Sequence, residues 1–241
     1  MQTTASPQPI TTTPLPATDR GAEGNRFEDD AEPIGPRRFN LAGHVDSLWH
    51  TAKSYDLFSS NDILTTFGAS IGYAVLMDGP WSVVPELGFS IGSAASDGNP
   101  SSVFRSSELT SNRFYGGVQA RYLLLPFLEP YARLAGGAER NEATLTQVTG
   151  ETLNGSATSP FASLGAGFSV HSVLPKTLSR TSRFPAFMFG VNVEGGYTVA
   201  RSMSLALTPD GSSPRIPTQD TSLGSLDRSG PYVRVGLDVR L

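Results

Sequence analysis

The sequence contains no cysteine, which excludes a disulfide framework, a thiolate metal site and a lipid carried on an N-terminal cysteine. Lysine is almost as scarce. Of eighteen basic residues only Lys53 and Lys176 are lysine, and the rest are arginine. A soluble domain usually covers itself with Lys and Glu, so this composition points to an unusual surface. The net charge of -4 and pI of about 5.4 leave no clustered basic footprint for nucleic acid. No run of about 18 apolar residues occurs, which rules out a transmembrane helix; the uncharged span from Ser156 to Leu174 is interrupted by Ser, Gly and Thr. Histidine is limited to His44, His50 and His171. No Gly-x-Ser-x-Gly elbow, His-Glu-x-x-His helix or phosphate loop appears, and nothing in the sequence asks for a cofactor or metal.

What the sequence does contain is alternation. In Pro231 to Leu241, Val233, Val235, Leu237, Val239 and Leu241 fall on one face, with Tyr232, Arg234, Gly236, Asp238 and Arg240 on the other. Period-two alternation of this length is a strand with one apolar face. The same parity recurs upstream. Ile63, Phe67, Ala69, Ile71, Tyr73 and Val75 oppose Thr66, Gly68, Ser70 and Gly72; Val83, Leu87, Phe89 and Ile91 oppose Ser82, Glu86, Gly88 and Ser90. Eight strands are expected: 39–49, 63–76, 81–93, 113–124, 130–140, 161–170, 187–200 and 231–241. Each is close to the 9–11 residues with which a tilted strand crosses a bilayer. Pro85 deletes a ladder hydrogen bond inside the third and is expected to mark a bulge.

The chain divides into two parts. Residues 1–37 are rich in Thr and Pro, with an acidic cluster at Glu28, Asp29 and Asp30, and have too little apolar surface to fold; a disordered spacer is expected. They lack the basic start and apolar core of a signal peptide, so an exported protein is expected to have lost its signal. Residues 38–241 hold the strands. Between them, the turn at Met77–Pro80 and the connection 125–129 are tight. The loops at 94–112, 141–160 and 201–230 are long and polar, and within the last of these Met203, Leu205 and Leu207 alternate as a hairpin stem would. The connection 171–186 is longer than the scheme requires.

Arg234-x-Gly236-x-x-Val239-x-Leu241 resembles the C-terminal assembly signal of bacterial outer-membrane β-barrels, although that family usually ends in Phe. Together with the strand tally and the alternation of short and long connections, it makes residues 39–241 similar to the small eight-stranded outer-membrane proteins of the OmpA transmembrane-domain, OmpX or OmpW type. The resemblance implies an all-β fold, a closed antiparallel up-and-down transmembrane barrel in the outer membrane. It implies contact with outer-membrane lipid, handling by the barrel-assembly machinery, and a structural, adhesive or partner-binding role through extracellular loops.

Alternation alone does not say which face is inside, and a soluble ligand-binding calyx would alternate as well. The less apolar face decides for the membrane barrel: it is dominated by Gly, Ser, Ala and Thr, which suit the narrow interior of eight strands, whereas a solvated face would carry long charges. Parity projects His44, Asp46, Glu86, Gln119, Arg121, Arg133, Glu139, Asn192, Glu194, Arg234, Asp238 and Arg240 into the lumen. Because unpaired buried charges are very costly and paired ones tolerable, these are expected to form an ion-pair network that plugs the barrel; a narrow solute channel is the alternative. A lipid-modifying enzyme is a further alternative. The lipid A deacylases carry His-x-Ser on a lipid-facing strand, and here the nearest arrangement, His44-Val45-Asp46, points inward. The expectation is a non-enzymatic protein.

Overall fold

The computed structural model describes residues 38–50, 55–59, 62–97, 104–172, 188–209 and 221–241. The expectations for residues 1–37, and for most of the connection 171–186, lie outside them. The described strands are β1 (Phe39–Trp49), β2 (Ile63–Tyr73), β3 (Leu76–Asp78), β4 (Trp81–Asp97), β5 (Phe104–Tyr122), β6 (Leu128–Gln147), β7 (Thr152–His171), β8 (Met188–Ala200), β9 (Met203–Pro209), β10 (Thr221–Leu226) and β11 (Gly230–Arg240).

Eight of these close a barrel. Antiparallel pairing runs from β1 through β2, β4, β5, β6, β7 and β8 to β11. The last strand then returns to the first, from Asn40 opposite Arg240 to Leu48 opposite Tyr232. Closure leaves no free edge in this part of the sheet. Phe39 and Leu241 complete the seam by exchanging backbone hydrogen bonds of 3.2 and 3.0 Å. The bulge expected at Pro85 falls instead opposite it, in the neighbouring strand. From Gly72–Glu86 to Leu76–Val83 the β2–β3 side advances four residues against three on β4, so the missing N–H falls where the ladder slips. The same slip ends β2 at Tyr73 and makes β3 a separate stub.

The other strands are longer than the alternation suggested. Most of 94–112 and 141–160 is not loop, because β4 continues to Asp97, β5 begins at Phe104, and β6 and β7 meet at a turn near Gly150. β9 and β10 form the hairpin stem expected from Met203, Leu205 and Leu207. The reason these stretches read as loops is their outer face, which is Ser, Thr, Asn and Glu where the lower strands carry Val, Leu and Phe.

The two faces of the wall are opposite in chemistry to a soluble protein. Outside, Phe67, Ile71, Leu87, Phe89, Ile91, Phe114, Leu134, Leu164, Val191 and Leu237 are all exposed. This belt carries no charged side chain among the described residues. Along β7 it runs from Pro160 to Val170; ten steps of ~3.3 Å on a strand tilted by about 40° give a height of ~25 Å. Aromatic rings stand at its margins: Tyr73, Trp81 and Phe127 on the side of the termini, Trp49 on the far side, with Trp81 and Tyr122 4.8 Å apart between centroids. Arg140 and Glu142 stand outside the belt at the far end, paired at 2.9 Å and open to solvent.

Inside, large rings lie flat over glycines. A Cβ at Gly88 would run into the Tyr115 ring, one at Gly196 into Tyr232, and one at Gly190 into His171 and Asp238. Glycine therefore supplies space here, which is how an eight-stranded interior accommodates tyrosine and arginine side chains together.

Candidate functional site

The inward side chains build four layers, beginning at the end that carries the termini. In the first, Arg240 donates to Glu129 at 2.6 and 3.2 Å and to Asp238 at 3.0 Å. Arg121 stands 3.6 Å from Glu129, and His171 lies between Glu129 at 3.7 Å and Asp238 at 3.9 Å. In the second, Arg133 and Gln119 both donate to Glu86, at 2.5 and 2.6 Å. Arg133 also reaches Glu194 at 3.6 Å, and Glu194 accepts the Tyr232 hydroxyl at 2.5 Å. Beside these, Arg234 grips Asp46 through both carboxylate oxygens, at 2.6 and 2.8 Å, while its guanidinium stacks 5.7 Å from the Tyr115 centroid. Fork-to-carboxylate geometry of this kind gives the stronger class of charged hydrogen bond.

The third layer surrounds Glu139, which takes Arg113 at 2.8 Å, Ser111 at 3.0 Å and Arg228. Here His50 is buried against Tyr55, their rings 4.1 Å apart. Burial, reinforced by Arg228 and Arg113, pushes the His50 pKa down to about 3, and burial raises that of Tyr55 to about 12. Both are neutral near pH 7. Arg228 is also lowered by burial, to about 10, and stays charged. The fourth layer is apolar: Tyr55, Phe58, Leu64, Leu109, Ala143, Leu145, Leu153, Met203, Leu205, Leu207 and Leu226 form one cluster. It fills the barrel where the wall rises beyond the belt. The segment 55–59 is tucked into it, its Leu57 carbonyl accepting from Ser107 Oγ.

All ten residues projected into the lumen as charged or titratable face inward: His44, Asp46, Glu86, Arg121, Arg133, Glu139, Glu194, Arg234, Asp238 and Arg240. The structure pairs Asp46 with Arg234 and Glu86 with Arg133, and places His44 3.4 Å from the Tyr115 hydroxyl. Besides Ser111, five partners were not anticipated. Arg113 and Tyr115 share the parity of Gln119 and Arg121 and were legible by extending that register. Glu129 lies one residue beyond the expected start of its strand. His171 ends β7 on the inward side. Arg228 had no signal, because residues 227–229 interrupt the alternation between β10 and β11.

With these included, the inward-facing charges among the described residues are six arginines (113, 121, 133, 228, 234 and 240) and six carboxylates (Asp46, Glu86, Glu129, Glu139, Glu194 and Asp238). They cancel. Among the described residues, a cavity of about 20 Å3 lies between them at mid-lumen, bordered by His44, Glu86, Arg121, Arg234 and Asp238, with room for a single water. On the outer face of β6, β7 and β9, above the belt, an open polar groove of about 540 Å3 is lined by Arg140, Glu142, Thr144, Asn154, Ser156 and Thr208.

The described strands close an eight-stranded antiparallel up-and-down β-barrel. No family model matches the chain, and no curated protein does. Solved structures similar to it include Neisserial surface protein A, at 10% identity over 84% of this chain and 96% of that one, with a TM-score of 0.43. The attachment invasion locus protein Ail of Yersinia pestis aligns at 10% identity over 84% and 95%, TM-score 0.39. The N-terminal β-barrel domain of OprF from Pseudomonas aeruginosa aligns at 15% over 85% and 98%, TM-score 0.36. At such identities and scores nothing about activity passes from them to this chain.

Proposed function

We propose that the chain is an integral protein of the bacterial outer membrane whose barrel seals the membrane and whose far-end hairpins bind a partner. The observation that carries this reading is the inverted wall: an uncharged apolar belt ~25 Å tall outside, and cancelling charges inside. A transmembrane β-barrel has this distribution, and in water such a belt would be an aggregation surface. A sealing role is supported by the small mid-lumen cavity and by the apolar cap, which together leave no described row of unpaired charges to carry ions.

A binding role is supported by the rigid stems at the far end. β6 and β7 continue past the belt by about two fifths of their length and are packed inside by leucines. They hold the polar groove and the turn at Gly150 in a fixed place, and recognition residues on loops need such a scaffold. A catalytic role is not proposed. The residue that would make His44 a base is Asp46, and Asp46 is 3.8 Å from it and fully engaged by Arg234. The closing strand, with Arg234 and Gly236 turned inward and Val239 and Leu241 turned outward, is proposed as the element read by the assembly machinery.

The test joins topology to function. A tag inserted at Gly150 is expected to be labelled on intact cells, and one at Pro126 only after the outer membrane is opened. Reconstituted protein is expected to show no steady conductance. A Gly150 tag that is reachable only from the periplasm, or a large open conductance in the unaltered protein, would overturn the reading.

A further inference from the structure

The outside of a barrel is convex, so a hollow on it has to be built. The groove above the belt, about 540 Å3, lies where β9 meets β7 at Leu153–Pro209 and Asn154–Thr208. Gly155 permits the close approach, since a Cβ there would meet the Ala206 carbonyl at 2.6 Å. Ser156 and Ala206 are short, so the groove stays open beside the longer Arg140 and Glu142 of β6. From inside, Leu145, Leu153, Leu205 and Leu207 hold this part of the wall as members of the apolar cluster. Arg140 stands two residues, and Thr144 six residues, above Ala138 at the belt margin. On a strand tilted by about 40° the groove therefore spans ~5–15 Å beyond the belt.

What the groove offers decides what it can hold. Arg140 and Glu142 neutralise each other at 2.9 Å, which leaves no charge over for a phosphate, a carboxylate or a metal ion. β6, β7 and β9 are each paired on both sides, so no ladder is open here to an extended peptide. No lining residue is aromatic or carries an apolar side chain larger than alanine, so nothing takes an acyl chain. What remains is hydrogen bonding in both senses. Beyond their mutual contact, Arg140 has N–H groups and Glu142 acceptor positions to spare. The hydroxyls of Thr144 and Ser156 and the Asn154 amide make no hydrogen bond among the described residues. Pairing sets Glu142 opposite Ser156 and Thr144 opposite Asn154, a field of donors and acceptors about 5 Å apart across the strands. A ligand matching it is uncharged and dense in groups that both donate and accept. We propose that the groove binds a neutral saccharide chain. Such a chain is the partner of the far-end hairpins proposed above, and its access from outside rests on that reading. At this height the groove meets both the saccharide headgroup of a neighbouring lipid and a free chain in solution. With no ring to stack on, single sugars bind weakly, and repeated or membrane-borne ligands gain by avidity.

The experiment uses the full chain in phospholipid nanodiscs. In one arm, oligosaccharides of glucose, galactose, mannose and N-acetylglucosamine are applied free and as multivalent polymers, beside a sulfated polymer as the charged control. In the other, the discs carry a glycolipid with an uncharged saccharide headgroup, whose retention is read by native mass spectrometry. Binding of at least one neutral sugar is expected, and the arm in which it occurs identifies its source. Ala206→Phe fills the groove from an exposed position and is expected to weaken binding about tenfold, with the heat-dependent gel shift unchanged. Asn154→Leu is expected to do the same and serves if the first variant does not fold. Raising salt from about 50 to about 500 mM is expected to leave the affinity nearly constant, as for a contact without net charge. Three results would overturn the proposal: no neutral sugar bound in either arm, equal binding by both folded variants, or binding of the sulfated polymer alone that salt abolishes. A Gly150 tag reachable only from the periplasm would remove the outward setting and leave sugar binding in nanodiscs as it is. Absent sugar binding with that tag outside would remove the ligand and leave the orientation standing.

Discussion

Removing Asp46 tests the central physical claim, that the lumen charges are held out of water by one another. Asp46 and Arg234 have side chains only 7% and 10% exposed. At about 4 Å between charge centres and an effective dielectric near 20, their attraction is worth ~4 kcal/mol. Breaking a buried pair by deleting one member typically costs about 3–5 kcal/mol, because the other charge is left without its partner. Arg234 keeps its contact with the Tyr115 ring, so Asp46→Ala is expected toward the lower end. For a barrel of this size that is a fall in midpoint of about 6–12 °C. The readout is guanidinium unfolding in lipid vesicles, followed by tryptophan fluorescence and by loss of the compact band on an unheated gel. Replacing both residues, as in Asp46→Leu with Arg234→Met, is expected to restore most of the loss, since an apolar pair carries no desolvation cost. The reasoning is refuted if Asp46→Ala costs under ~1 kcal/mol, the value of a solvated pair, or if the double variant is as unstable as the single one.

The third layer gives a pH prediction. An unfolded chain protonates His50 near its ordinary value of 6.5, while the fold resists until about 3, so the unfolded state binds more protons between these values. Stability therefore rises with pH across that window, and His50→Gln is expected to reduce the slope by about 1.4 kcal/mol per pH unit in urea titrations from pH 4 to 6. Gly230→Ala is expected to cost about 1–3 kcal/mol, because a Cβ there would collide with the Trp49 carbonyl where β11 meets β1; an unchanged unfolding midpoint would argue against that contact. Deleting Pro209 to Asp220 is expected to leave the heat-dependent gel shift intact while removing partner binding. A silent deletion, with loss of function from a lumen substitution that still folds, would move the activity inside the barrel.

What the sequence disclosed and what it hid divide along the belt margin. Inside the belt both faces obey one rule, apolar out and small or charged in, so parity alone places His44, Glu86 and Arg133 inside the barrel, where they lie. Beyond the belt the rule changes sign. At Leu109, Leu145, Leu205 and Leu207 the apolar residues point inward and Ser, Thr and Asn point out. The period of two persists, but a reader counting lipid-facing residues sees a polar stretch and assigns a loop. The polarity switch on β6, from outward Ala138 to outward Arg140, and on β7, from outward Pro160 to outward Thr158, is the signature of a strand leaving an apolar solvent for an aqueous one.

That inversion also explains why the lumen is charged below and apolar above. At belt height, the outer face must be apolar to meet lipid, so the wall is held by closure and by pairing across a narrow interior, and arginine–carboxylate networks fix which strand faces which. Above the belt the outer face must be polar to meet water, and the only place left to bury apolar surface is the interior. A leucine cluster there stabilises the extended hairpins as an ordinary core would, with Tyr55 and Phe58 brought in from the segment between β1 and β2 to complete it. The third layer is the junction between the two regimes. Its charges belong to the network below and its surroundings to the core above, and it is there that Arg228 enters from a stretch with no alternation. A sequence reader has no pattern to follow at such a junction, since neither rule holds across it. The same mismatch leaves the Nε and Nη2 edge of Arg228 without a protein acceptor, in the one layer that alternation could not complete.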